Sequence, residues 1–157
     1  MEERQLLRHT VATLAYRAGK AMRGAPAEFA MFGAGQGGRT PAEILAHMGD
    51  LFDWALALAD GQHAWHDSAP LEWEAGTARF FAALEAFDQR LASEQPLAVS
   101  QEKLFQGPIA DALTHVGQIA MLRRMAGSRL RAENYFRAHI EAGRAGAAQA
   151  APAMEFD

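Results

Sequence analysis

Asp111, His115 and Gln118 are the polar residues whose types and spacing best suit chemistry in this sequence. Residues three and four apart lie on one face of an α-helix, so these side chains project from successive turns. A carboxylate and an imidazole at this spacing can bind one metal ion together. A neighbouring stripe is small or apolar and contains Ala112, Val116, Ile119 and Ala120. We therefore expect the polar line to face the packed side of the helix, where an ionised Asp111 needs a partner.

His47 is the candidate partner, because it occupies an apolar stripe on a different predicted helix. That stripe consists of Ile44, Leu51, Trp54 and Leu58. Two imidazoles and one carboxylate leave coordination positions open for water or substrate, as in catalytic Zn, Ni, Fe or Mn sites. The alternative is a structural hydrogen bond between Asp111 and either His115 or His47, in a core without metal. The residues alone leave both interpretations open.

Two other motifs are weaker candidates for chemistry. The glycine-rich stretch 33–38 neither follows a strand nor ends in Gly-Lys-Ser/Thr, so it predicts a surface loop and not a phosphate loop. His63 and His66 have helical ligand spacing, but Gly61, Ser68 and Pro70 mark an irregular segment. We expect both histidines to be exposed in that loop, without a third ligand nearby.

Hydrophobic periodicity predicts the helices that must position these residues. In the first helix, Leu7, Val11 and Leu14 begin a buried face at three- and four-residue steps. Thr40 and Glu43 are predicted to form a capping box that starts the second helix, with Pro41 in its first turn. The predicted helices cover residues 3–23, 40–59, 71–91 and 108–125, and a short fifth covers 132–142. The sequence thus predicts an all-α four-helix bundle over 1–142, with an additional C-terminal helix and a flexible tail over 143–157.

Composition excludes several classes of function. The chain has 157 residues, a net charge of −4 with dispersed basic residues, and no cysteine. Neither the charge nor the motifs suit nucleic-acid binding, and the lack of cysteine excludes disulfides and thiolate metal ligands. No signal peptide and no apolar run of membrane-spanning length is visible. We expect a cytoplasmic protein that does not bind a membrane.

Two motifs give the sequence a resemblance to the DinB superfamily of four-helix-bundle proteins, also called DinB/YfiT-like. The first is Arg39-Thr40-Pro41-Ala42-Glu43-Ile44-Leu45-Ala46-His47, with Trp54 downstream. The second is Asp111-x-x-x-His115-x-Gly117-Gln118-Ile119. With Glu133-Asn134-Tyr135-Phe136, the resemblance spans about residues 1–142.

The resemblance implies a divalent metal, most often Zn or Ni, held by three histidines. His47 matches the first ligand and His115 the last, whereas Asp111 replaces the middle histidine. A carboxylate remains a competent ligand and makes the site more tolerant of Fe or Mn. Around these ligands, Gln118, Trp54 and Tyr135 are expected as supporting residues. Asp50, one turn after His47, is a candidate general base, as is Asp111 itself.

Members of this family include thiol-cofactor S-transferases, a thiol-dependent isomerase and proteins that resemble metal-dependent hydrolases. The resemblance therefore implies a metal-activated water or low-molecular-weight thiol that acts on a small molecule. A second hypothesis is a non-enzymatic stress-response or small-molecule-binding bundle that has lost or weakened the metal site. The family also makes a homodimer the expected assembly.

Overall fold

The computed structural model describes residues 4–35 and 37–157, and it is mostly helical. Three long helices are α1 (Gln5–Met22), α2 (Pro41–Ala59) and α3 (Trp73–Ala92). A fourth helical stretch consists of α4 (Gln101–Leu104), a π-helical turn (Phe105–Ile109) and α5 (Ala110–Met125). The predicted start of the first helix at Glu3 lies outside the described residues.

The start of α2 agrees with the sequence prediction. The Thr40 side chain accepts a hydrogen bond from the Glu43 backbone, and the Glu43 carboxylate accepts one from the Thr40 backbone. This capping box satisfies two backbone donors that have no partner within the helix. Pro41 follows in the first turn, where a missing N–H costs nothing. The cap thereby fixes the position of His47 two turns further along.

The helical stretch that carries Asp111 begins earlier than expected. The sequence predicted a helix from residue 108, but the helical stretch already begins with α4 at Gln101. Pro108 lies inside the π-helical turn, because it has no N–H to donate to the carbonyl four residues back. This π-helical turn ends directly before α5. It therefore sets the direction in which the Asp111 side chain projects from α5.

The four helical stretches surround one apolar core. Helix α1 contacts α3 and α5, and α2 contacts the same two helices, so each stretch has two neighbours. The predicted face of α1 is confirmed, since Leu7, Val11 and Leu14 are all buried. The core also contains Phe52, Phe80, Phe87, Leu84, Leu91, Ile109 and Ile119. Within the described residues, none of the helices combines the length and apolar character needed to cross a bilayer.

The predicted helix at 132–142 is wrong. Its place is taken by a two-residue strand β1 (Ala132–Glu133) and a 3-10 turn (Tyr135–Arg137). Strand β1 pairs antiparallel with β2 (Glu155–Phe156), so Glu133 lies opposite Glu155. The segment after 142, which we expected to be frayed, thus packs on the bundle and buries Ala145. Pairing over a long sequence separation overrides the local helix propensity here.

A buried polar network attaches this C-terminal segment to α1. The Tyr16 hydroxyl donates a hydrogen bond to Glu133, and the Lys20 ammonium contacts Glu155. Lys20 Nζ also lies 3.2 Å from the other Glu133 oxygen. Glu133 is 7% exposed, so its charge depends on these two partners. Burial, followed by the hydrogen bond with Glu133, raises the pKa of Tyr16.

Replacing Tyr16 with phenylalanine is expected to lower the free energy of unfolding by about 2 kcal/mol, since it leaves a buried carboxylate oxygen unpaired. A raised folded-state pKa contributes stability below the unfolded value of about 10, and this stability is lost as pH rises. The wild type should therefore lose stability above pH 10 more steeply than Tyr16→Phe. Urea unfolding over a pH series measures both effects. Equal slopes in the two proteins would contradict the role assigned to Tyr16.

Candidate metal centre

A cleft of about 710 Å³ lies between α2, α5 and the glycine-rich loop before α2. Its polar end contains His47, Asp111, His115 and Gln118, which are the residues that the sequence analysis grouped. The remainder of its lining is Ala34, Gly37, Gly38, Arg39, Ile44, Met121, Leu122 and Met125. The glycine-rich loop thus forms one wall of the cleft; Gln36 lies outside the described residues.

Both histidines direct the same ring nitrogen at the carboxylate of Asp111. His47 Nε2 lies 3.2 Å from Asp111 Oδ2, and His115 Nε2 lies 3.5 Å from Asp111 Oδ1. The two imidazole rings are 4.8 Å apart and almost perpendicular. One ligand atom from each residue falls within 4.8 Å of the others. Two imidazole nitrogens and a carboxylate oxygen at this separation are a suitable donor set for a divalent transition metal.

Gln118 supports His115 from the side opposite to Asp111. Its Oε1 lies 2.8 Å from His115 Nδ1, with the amide orientation that the structure assigns. An amide oxygen only accepts, so in this orientation Gln118 favours the neutral tautomer that has its proton on Nδ1 and its lone pair on Nε2. Metal-binding histidines are held by such hydrogen bonds to their second nitrogen. The prediction that Gln118 supports the cluster agrees with this geometry.

Asp111 is less buried than the sequence analysis predicted. Its side chain is 46% exposed, whereas those of His47 and His115 are 22% and 12% exposed. The stripe of Ala112, Val116 and Ile119 faces the core instead. The polar line lies beside that stripe and opens into the cleft, so an ionised Asp111 does not require a partner to avoid desolvation. The expected partner, His47, is nevertheless in contact with it.

Asp50 is held in a different set of contacts from the one expected of a general base. One oxygen accepts a hydrogen bond from the Ser68 hydroxyl and one from Arg79, and the other accepts the Ser68 backbone N–H. Burial disfavours its charged form, but these hydrogen bonds outweigh burial and lower the pKa of Asp50. A carboxylate with all these donors and a lowered pKa is a poor proton acceptor at neutral pH.

Trp65 is a neighbour of the cluster that the sequence analysis missed. Its ring lies 5.6 Å from that of His47 and 5.7 Å from that of Trp54. Trp54, expected beside the ligands, packs behind Trp65 and 5.8 Å from His63. A tryptophan in a loop that is otherwise polar was the available signal. Trp65 covers one side of His47 with an apolar surface.

Tyr135 is wrongly predicted as a neighbour of the cluster. It packs edge-on against Tyr16 at 6.1 Å, and the Arg17 guanidinium lies 4.0 Å from the centre of its ring. The loss of the predicted fifth helix explains the error, because Tyr135 belongs to the turn that follows β1. Its role is to attach the C-terminal segment to α1.

His66 has acidic neighbours that its loop position did not reveal. Its two ring nitrogens each lie 3.2 Å from a carboxylate, one of Asp50 and one of Asp53. These three residues also meet the distance requirement for a metal site. Arg79, however, already donates to both carboxylates at 2.8 and 2.7 Å. The guanidinium supplies the positive charge there, so this group attaches the loop to α2.

Comparison with models of protein families, with curated proteins and with solved structures gave no match to this chain.

Proposed function

We propose that this chain is a DinB-like metal-dependent enzyme in which His47, Asp111 and His115 hold a divalent ion. Zn or Ni suits two imidazoles best, and the carboxylate also admits Fe or Mn. Water or a low-molecular-weight thiol would act at the open position on a small molecule, in a hydrolase or S-transferase reaction. The fold supports this assignment through its helical bundle and through the position of both motifs on facing helices, α2 and α5.

One observation carries the proposal. Gln118 accepts from His115 Nδ1 while His115 Nε2 faces the carboxylate that His47 Nε2 also faces. When the proton of a neutral His115 lies on Nδ1, Nε2 offers a lone pair towards Asp111 Oδ1, and a cation between the two would satisfy both groups. The arrangement is the one that ligand histidines have in metal sites, where an outer partner fixes the tautomer and the ring orientation.

A divalent ion at this position would lower the pKa of a bound water or thiol to near neutrality. The residues of the chain would supply orientation and charge. His47 and His115 come from rigid helices, Gln118 fixes the His115 ring, and Trp65 shields His47 from solvent on one side. Asp111 would hold the ion, and because its side chain is 46% exposed it would also be accessible to a bound substrate as a proton acceptor.

The non-enzymatic alternative is favoured by the direct contact between His47 and Asp111. The 3.2 Å separation is a normal hydrogen bond, and Asp111 is half-exposed, so the pair is satisfied without any ion. In that case the cleft would bind a small molecule without transforming it. Metal content distinguishes the two functions.

Cobalt(II) substitution tests the proposed chemistry. Cobalt bound by two imidazoles and a carboxylate has visible absorption, and an added thiol that binds the open position adds a charge-transfer band. A charge-transfer band that saturates with added thiol supports the S-transferase reaction. A visible spectrum that changes with pH, but shows no such band when thiol is added, supports water activation. A protein that binds no cobalt supports the alternative function. His9→Ala, an exposed substitution on α1, is the matched control.

Gln118→Leu is expected to weaken zinc binding by about tenfold to a hundredfold, because His115 loses the acceptor that fixes its tautomer. Gln118→Glu retains the acceptor and should bind zinc at least as tightly as the wild type. Competition with a chromophoric chelator measures the affinity. Equal affinities of the Leu and Glu variants would contradict the orienting role. Gln118 is exposed, so neither substitution should alter the fold.

A further inference from the structure

The cleft extends well beyond the metal centre along α5. Its lining continues from Gln118 to Leu122 and Met125 on the same line of the helix, with Met121 beside them. From His115 to Met125 the helix rises about 15 Å. Ile44 supplies the opposing apolar surface from α2. Met121 and Met125 are 63% and 52% exposed, which leaves their flexible side chains free to adapt to a ligand.

Arg39 also lines this cleft, from the segment directly before α2. It precedes α2 by two residues, and the helix rises about 9 Å between Pro41 and His47. Among residues 4–35 and 37–157, Arg39 has neither an ion pair nor a side-chain hydrogen bond. Glu43, the nearest acid in sequence on α2, uses its carboxylate to accept from Thr40. The Arg39 side chain is exposed and lines the cleft, so its guanidinium is accessible to an anion that binds there.

We infer that the ligand of this cleft is an amphiphilic anion, with its reactive group at the metal centre and a carboxylate or phosphate at Arg39. The apolar middle part of this ligand would lie against Ile44, Leu122 and the two exposed methionines of α5. This inference rests on the proposed metal centre and adds the substrate class. Charge supports it, because a bound divalent ion together with Arg39 would outweigh the Asp111 carboxylate and would make the cleft cationic.

Dicarboxylates of two lengths test this inference. Suberate carries an anion at each end of an apolar chain, whereas succinate has the same charges and almost no apolar middle. Calorimetric titration of the zinc-loaded protein should give suberate at least about a tenfold higher affinity than succinate, since each buried methylene contributes about 0.8 kcal/mol. Arg39→Met should lower the affinity for suberate by about fivefold and leave the affinity for zinc unchanged.

Arg124→Met is the matched control, because Arg124 is an exposed arginine on α5 that does not line the cleft. The double substitution Met121→Ala and Met125→Ala should reduce the preference for suberate over succinate. Equal suberate affinities in the Arg39 and Arg124 variants would overturn the inference, as would the absence of a preference for the longer chain. In either case, a measurable zinc affinity would leave the proposed metal centre intact. A protein that binds no zinc overturns both.

Discussion

His115→Ala is expected to lower zinc affinity by at least about a hundredfold. The substitution removes one of three ligands, and loss of a residue that only supports a ligand already costs about tenfold to a hundredfold. His47→Ala should have an effect of the same size, because the two nitrogens face the carboxylate at similar distances. Chelator competition at fixed pH gives the affinities, and circular dichroism checks that the helices remain. His9→Ala should bind zinc as the wild type does.

Substitutions of Asp111 test the ligand that departs from the family resemblance. Asp111→Asn preserves the shape and removes the charge, so zinc affinity should fall by about tenfold or more. Asp111→His introduces a third imidazole and should restore zinc binding above the level of the asparagine variant. Equal affinities of these two variants would show that position 111 does not contact the ion. Unchanged affinity in both His115→Ala and His47→Ala would contradict the centre as a whole.

Arg79→Met is expected to have the largest effect on stability, about 3 kcal/mol in the free energy of unfolding. Asp50 is only 3% exposed, and Arg79 donates to it and to Asp53. Removal of Arg79 leaves a buried carboxylate with only Ser68 and the half-exposed His66 as partners. Urea unfolding at neutral pH measures the loss. Arg131→Met removes two longer ion pairs, at 3.7 and 3.4 Å, from the surface and should have a much smaller effect on stability.

Gly49 gives an independent test of the same contact. A Cβ atom at this position would lie 1.9 Å from Arg79 Nη1, so the guanidinium crosses α2 where only glycine leaves room. Gly49→Ala should therefore cost about 2 kcal/mol in the wild type. In the Arg79→Met background the same change should cost nothing or stabilise, because alanine favours helix by about 1 kcal/mol over glycine. Additive effects in this double-mutant cycle would contradict the contact.

The sequence allowed prediction of those features that depend on local pattern. The capping box of Thr40 and Glu43 and the buried face of α1 follow from a few residues within one element. Asp111, His115 and Gln118 were grouped from helical spacing alone, and His47 from its place in an apolar stripe. The contact between His47 and Asp111 joins positions 64 residues apart. It was predictable because His47 interrupts an apolar stripe of α2 and Asp111 lies on a polar line next to an apolar stripe of α5.

The features that were missed depend on contacts distant in sequence. Strand β1 forms because β2 pairs with it, and nothing near Tyr135 indicates that pairing. Arg79 lies on the polar side of α3 by pattern and is recognisable as a partner of Asp50 only once α2 and α3 are packed. The exposure of Asp111 depends on the rotation of α5 after the π-helical turn, which helical periodicity does not give.

The most direct measurement is a crystal structure of the protein purified without chelator, with anomalous data collected on both sides of the zinc edge and of the nickel edge. We expect a single anomalous peak within ligand distance of His47 Nε2, His115 Nε2 and the Asp111 carboxylate. His115 Nδ1 should remain hydrogen-bonded to Gln118 Oε1. No peak at this position after a soak in excess zinc, with His47 remaining hydrogen-bonded to Asp111, would contradict the proposed metal centre.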